Sequence, residues 1–172
     1  MSGLDGLPSG LHKPAFMTAV TELIEFIGDR PLDAALEARL NDDYGPTTGR
    51  FLELQRLLRI GIEEGWAGYT QVDSPDYCRG RLANPSPETR NFLLESAKLR
   101  SVRGQYHRHP MGEINMIQPV DPDGKFCGSG AGWRVFAPDT SHFPTVTGGT
   151  VTFLFLLPKG QIEYKSPPAD PG

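Results

Sequence analysis

Cysteine is scarce in this chain, with 2 in 172 residues, too few for a disulfide scaffold. Long apolar runs are missing: no stretch approaches the ~20 residues of a membrane span. The N-terminus, MSGLDGLPSG, has neither the basic n-region nor the apolar h-region of a secretory signal. A cytoplasmic protein with no membrane partner is therefore expected. Basic charge is in deficit, with Lys+Arg 17 against Asp+Glu 21 and a formal charge of -4, which argues against a nucleic-acid partner. No P-loop, dinucleotide fingerprint or internal repeat is visible. Histidine is also sparse, but three of the 4 fall between positions 107 and 142.

What is present changes character along the chain. Residues 1–13 are rich in Gly, Pro and Ser at their start and read as disordered, so His12 looks unimportant. Residues 14–66 read as a helical segment. Phe16, Val20, Leu23, Ile24 and Ile27 fall at 3- and 4-residue spacings over 15–28. Pro31 suits the start of a second helix, with Leu32, Ala35, Leu36 and Leu40 on one stripe to about Tyr44. Thr48 is a plausible N-cap for a third, with Phe51, Leu54, Leu58 and Ile62 on one face and Gly65 as its stop. Charged residues such as Glu22, Glu37, Arg39, Arg56 and Arg59 read as a solvated surface. This half holds the acidic surplus, which disfavours a helix-turn-helix reader of DNA.

Residues 67–165 read differently. Strand-like stretches fall at about 79–83, 91–100, 102–109, 113–118, 132–137, 150–157 and 161–165. Turn signals separate them, including Pro110-Met111-Gly112 and a Gly148-Gly149 hairpin turn. Residues 166–172 read as a disordered tail. Many short strands predict an antiparallel sandwich or barrel, so the fold class is α+β, mainly β, with the helical segment first.

The stretch GQYHRHPMGEIN, residues 104–115, carries the chemistry. His107 and His109 are two apart and share one face of a strand. Glu113 follows across the Pro110-Met111-Gly112 turn, and His142 follows the strand around Trp133. Three imidazoles and a carboxylate suit a divalent metal such as Zn, Fe, Mn, Ni or Co. The alternative is surface or packed histidines. By strand parity Arg103 and Gln105 share the face of His107 and His109. Arg103 and Arg134 are candidate anchors for an anion, with Arg81 and Lys98 behind them. Phe126, Trp133, Phe153 and Phe155 could wall a pocket or simply fill a core. Cys78 and Cys127 lack metal spacing and read as ordinary thiols, Cys127 with some prospect of bordering a pocket.

His-x-His-x3-Glu with a further His 29 residues after the Glu resembles the metal motifs of the cupin superfamily of small antiparallel β-barrels. The second motif departs from the usual Pro-x-Gly-x-x-His, with Ala137 and Asp139 at the Pro and Gly positions. HRHPMGEIN followed by GWRVFAPDTSHFPTVTGGTVTFLFLLPKGQIEY is similar to the 4-hydroxylaminobenzoate lyase family, most strongly over 79–165. The resemblance implies a cupin-like barrel, a metal held by His107, His109, Glu113 and His142, and the same four as catalytic residues. It implies an aromatic carboxylate substrate near Arg103, Gln105, Trp133 and Arg134, a reaction yielding 3,4-dihydroxybenzoate and ammonia in nitroaromatic breakdown, and a homodimer. The rivals are another metal-dependent cupin enzyme, an oxygenase or isomerase of an aromatic acid, and a non-enzymatic ligand-binding cupin.

Overall fold

The computed structural model describes residues 9–168. A 3-10 turn at Ser9–Leu11 leads directly into α1, His12–Ile27. The expectation of disorder over 1–13 is thus corrected for 9–13, and its remainder lies outside the described residues, as does the end of the expected tail. His12 is buried at the start of α1, and its Nδ1 lies 2.9 Å from Glu64 Oε2, so it ties α1 to the end of α3. α2, Ala34–Asp43, starts later than Pro31 predicts. Asp33 caps it, its Oδ1 accepting from Leu36 N at 2.9 Å. α3, Gly49–Glu64, is capped by the Thr48 hydroxyl and stopped by Gly65, which takes the left-handed conformation.

Eleven strands follow: β1 Thr70–Val72, β2 Ser74–Ala83, β3 Phe92–Arg100, β4 His107–His109, β5 Glu113–Pro119, β6 Lys125–Phe126, β7 Gly132–Phe136, β8 Thr140–His142, β9 Val146–Thr147, β10 Thr150–Pro158 and β11 Glu163–Tyr164. Six form one antiparallel sheet in the order β1-β2-β3-β10-β5-β7, three form β11-β4-β8, and β6 pairs with β9. The architecture is three helices followed by an antiparallel, sheet-rich body, whose sheets do not close into one continuous hydrogen-bonded cylinder. Gly148-Gly149 joins β9 to β10, which pair with different strands, so it is not the hairpin turn expected. The segment 102–109 is regular only over its last three residues.

Strand parity divides the large sheet. Leu94, Ile114, Met116, Trp133, Val135, Leu154 and Leu156 form one apolar cluster with Phe16, Leu23, Leu40, Phe51 and Leu58 of the helices. Ala97, Leu99, Ile117, Val151 and Phe153 on the other face cluster with Phe126 and Val146. The helices therefore bury their apolar stripes on the outside of the sheet, which leaves the inner face for the site. α2 also protects the edge strand β7. Asn41 Nδ2 donates to Trp133 O at 3.0 Å, Asn41 Oδ1 accepts from Trp133 N at 2.9 Å, and Glu37 Oε1 accepts from Val135 N at 2.9 Å. Residues 37 and 41 lie one turn apart on a helix, so they reach alternate residues of the strand and fill the hydrogen-bonding edge. Glu37 and Arg59, whose Nη2 donates to Pro119 O at 2.9 Å, are thus structural contacts and not the solvated charges expected.

Candidate active site

Two short strands bring the histidines together, and a turn adds Glu113. β4 places His107 and His109 on one face, and β8 pairs with β4 in a register that sets His142 opposite His107. The turn after His109 closes with a hydrogen bond from Gly112 N to His109 O at 3.2 Å, and β5 begins at Glu113. Gly112 has φ +84, and a Cβ there would meet the Phe136 carbonyl oxygen at 2.5 Å. Glycine is therefore required by conformation and by space. The four candidate residues thus reach one place through one tight turn and one strand pairing.

The imidazoles point inward. His107 Nε2 lies 2.9 Å from His109 Nε2, and His142 Nε2 lies 3.1 Å from each. His107 Nδ1 lies 3.0 Å from Gln105 O. A carbonyl only accepts, so Nδ1 carries the proton and the Nε2 lone pair faces the centre. Burial holds all three rings neutral. It lowers the His107 pKa, takes His109 to about 3 with help from the neighbouring His107 and His142, and takes His142 to about 4 with help from His107 and Arg134. Three inward-facing Nε2 atoms at this separation either share protons or surround a cation. The triad is compatible with a metal site.

Glu113 stands beside this triangle, with Oε1 3.6 Å from His109 Nε2. Burial pushes its carboxyl up to about 8, against an opposing hydrogen bond from Asn115. Cys127 borders the site, with Sγ 3.6 Å from His142 Nδ1. Phe136, which the sequence reading passed over, packs its ring 4.3 Å from that of His142. Its parity is opposite to that of Trp133, which is the signal that could have found it.

A cavity of about 230 Å³ opens in front of the histidines. Its lining includes Gln105, Phe126 and Phe155 from the expected set. Trp133 is not brought to it. Residues 133 and 135 face the helices, and Trp133 is buried there with Nε1 donating to Tyr44 O at 2.8 Å. Phe153 is core. Arg134 shares the inner face but is turned onto Cys127 O and Ser129 Oγ, at 3.3 and 2.9 Å. Arg103 lies over the Phe143 ring at 4.3 Å and lines a neighbouring cavity, because the backbone around it makes only an isolated bridge to Thr145 and strand parity fails there. Lys98 lies outside the cavity and Arg81 borders it, together with Tyr77, Arg79, Glu95 and Tyr164. Of these, all but Arg81 were missed, since nothing local in the sequence ties β2 or β11 to the histidines.

Known proteins resemble the chain along most of its length. The family model described as PnbB: 4-hydroxylaminobenzoate lyase matches residues 18–164. A protein named 4-hydroxylaminobenzoate lyase from Nocardioides sp. (strain LMS-CY) is 41% identical over 143 residues, covering 78% of this chain and 85% of that protein. One of the same name from Pseudomonas putida is 35% identical over 153 residues, covering 80% and 87%. Solved structures similar to the chain include an RmlC-like cupin protein from Ralstonia eutropha, 14% identical with 54% and 62% covered and a TM-score of 0.38. Another is a cupin-like protein from Thermotoga maritima, 14% identical with 56% and 85% covered and a TM-score of 0.33. The family match runs from α1 through β11 and so takes in the helices as well as the histidine-bearing strands: the chain belongs to the 4-hydroxylaminobenzoate lyase family.

Proposed function

We propose that the protein is a lyase that converts 4-hydroxylaminobenzoate to 3,4-dihydroxybenzoate and ammonia, a step of nitroaromatic breakdown. The observation that carries this reading is the convergence of three imidazole Nε2 atoms within 3.1 Å, beside a buried carboxyl group, in a chain of this family. The cavity is smaller than the ~300–1,000 Å³ of drug-sized pockets, which suits a single ring.

The donor set fits a divalent cation. The three Nε2 atoms lie 2.9 to 3.1 Å from one another, and imidazole nitrogens are donors that borderline divalent cations take. His107, His109 and His142 would hold such a cation, which when bound would supply Lewis acidity. Glu113 is left to move protons. Kept protonated by burial, it donates to the hydroxylamine oxygen as the N–O bond breaks, and water leaves. The resulting carboxylate takes a proton from the water that adds to the ring carbon beside the nitrogen. A second water hydrolyses the ring imine, which releases ammonia, and loss of a ring proton restores the aromatic ring. One water is consumed overall and no oxidant is needed. Phe126 and Phe155 flank the ring, while Leu93 and Leu157 limit the access of bulk water.

The test is incubation of the purified protein with 4-hydroxylaminobenzoate under anaerobic conditions, following ammonia and 3,4-dihydroxybenzoate. Both products are expected. Absence of product with metal-replete protein, or accumulation of 4-amino-3-hydroxybenzoate in place of ammonia, overturns the reading. A requirement for oxygen favours the oxygenase rival.

A further inference from the structure

The reaction leaves one need unmet, a partner for the substrate carboxylate. Arg103 and Arg134 are occupied elsewhere, but β2 presents two other arginines. Tyr77, Arg79 and Arg81 alternate along the strand, share its inner face and all border the cavity. Arg81 Nη1 donates to Asn84 Oδ1 at 3.2 Å, which holds it toward the outer end of the strand.

Arg79 differs in three respects. Its cross-strand neighbour on β3 is Ala97, a small residue that leaves the guanidinium room over the inner face. Its partners are Glu95, met through Nε at 3.7 Å, and the Tyr164 hydroxyl; the first is a long contact and the second a neutral one, and a substrate carboxylate is a better acceptor for the guanidinium fork than either. It also adjoins Tyr164, whose ring meets that of His107 at 5.8 Å between centroids. One aromatic side chain therefore links Arg79 to the histidine centre.

The span is suitable. Glu113 on β5 is separated from β2 by β10 and β3. Three strand spacings of ~4.8 Å make ~14 Å along the sheet, and sheet curvature shortens the chord. A benzene ring with groups at opposite ends, reached by a long arginine, fits this gap. Phe155 and Leu157 of β10 lie beneath it on the inner face.

We propose that Arg79 binds the carboxylate of the substrate, at the end of the cavity away from the histidines, and so selects benzoates carrying the reacting group in the para position. The proposal rests on the lyase reading of the same site. A bidentate Arg–carboxylate pair in a half-exposed position predicts an acid preference of about ten- to a hundredfold. Arg103, outside this cavity, contributes none of it.

The experiment uses the full chain and two probes, 4-hydroxybenzoate and 4-hydroxybenzamide, measured by calorimetry. Wild type binds the acid more tightly than the amide by that factor. Arg79→Met brings the two to equality by weakening only the acid, Arg79→Lys retains part of the preference, and Arg103→Met retains all of it. In turnover, Arg79→Met raises KM for 4-hydroxylaminobenzoate by about tenfold or more, with a smaller change in kcat. Equal weakening of acid and amide, an unchanged preference, or loss of preference in Arg103→Met overturns the proposal, as does a wild type that binds neither probe. If wild type produces no ammonia yet discriminates acid from amide through Arg79, the lyase reading falls and the carboxylate site stands.

Discussion

Replacing Gly112 with alanine tests how the turn between His109 and Glu113 builds the site. Gly112 has φ +84, and an added Cβ would meet the Phe136 carbonyl oxygen at 2.5 Å, Leu32 Cδ2 at 3.0 Å and Pro138 N at 3.2 Å. The left-handed conformation costs an alanine ~1–2 kcal/mol. Forcing a methyl against backbone atoms that cannot rotate away adds ~1–3 kcal/mol. The sum is ~2–5 kcal/mol, or a fall of roughly 5–15 °C in Tm for a chain of this size. Gly65 is the matched control, since it has φ +89 and nothing within 4 Å of its added Cβ. Gly65→Ala should show the conformational cost alone, ~1–2 kcal/mol. Urea titration of both variants gives the two costs. Gly112→Ala should also lose ~100-fold in kcat/KM, because the relaxation displaces Glu113 relative to His109 by a fraction of an ångström or more. Equal destabilisation of the two variants refutes the packing argument. Full activity in a destabilised Gly112→Ala refutes the link from turn to site.

Other outcomes follow from the same geometry. His109→Ala and His107→Ala should each lose bound divalent metal in elemental analysis while Arg103→Met keeps it; full retention in His109→Ala would contradict the ligand assignment. Glu113→Gln should lower kcat by ~10²–10⁴ with the metal content intact, as expected for loss of a general acid. In metal-free protein Glu113 binds a proton when folded up to about pH 8, against an ordinary value of 4.5. The folded state thus holds more protons across that window, and its contribution is present below 4.5 and lost as pH rises through 8. Glu113→Gln should therefore gain stability relative to wild type as pH rises from 6.5 to 8.5, a window in which the folded histidines are neutral and the unfolded ones titrate alike in the two proteins, and parallel urea midpoints would refute the assignment. Trp133→Phe should cost ~1–3 kcal/mol by unpairing the Tyr44 carbonyl and leaving a void, with little change in KM; a large KM effect would return Trp133 to the substrate pocket.

The sequence made some of this legible for clear reasons. Helical stripes such as Phe16-Val20-Leu23-Ile27 announce themselves because the burial they encode is local and periodic. His107, His109 and Glu113 are close in sequence, and a two-residue spacing plus a Gly turn sets their geometry. His142 joins them through a three-residue strand whose pairing with β4 is non-local, and it was found through its setting and not through any spacing rule. The misplacements have one source. Trp133 and Phe136 lie on opposite faces of the same short strand, and which parity faces inward depends on where the helices land. Arg103 was assigned by extending strand parity past the point where β4 is regular. Arg79 was invisible because β2 meets the site only through β3 and β10, and its start at Ser74 lies earlier than the apolar pattern suggests. His12 looked loose because the Gly and Pro before it masked a helix start that is fixed by Glu64, 52 residues away.

On the proposed function, the histidine triangle and Glu113 together release ammonia from an arylhydroxylamine acid. The most direct test compares ammonia and 3,4-dihydroxybenzoate formed anaerobically from 4-hydroxylaminobenzoate by metal-replete wild type and by folded His109→Ala. Both products are expected in equal amounts from wild type and neither from the variant. Undiminished turnover by His109→Ala, or no ammonia from wild type, would contradict it.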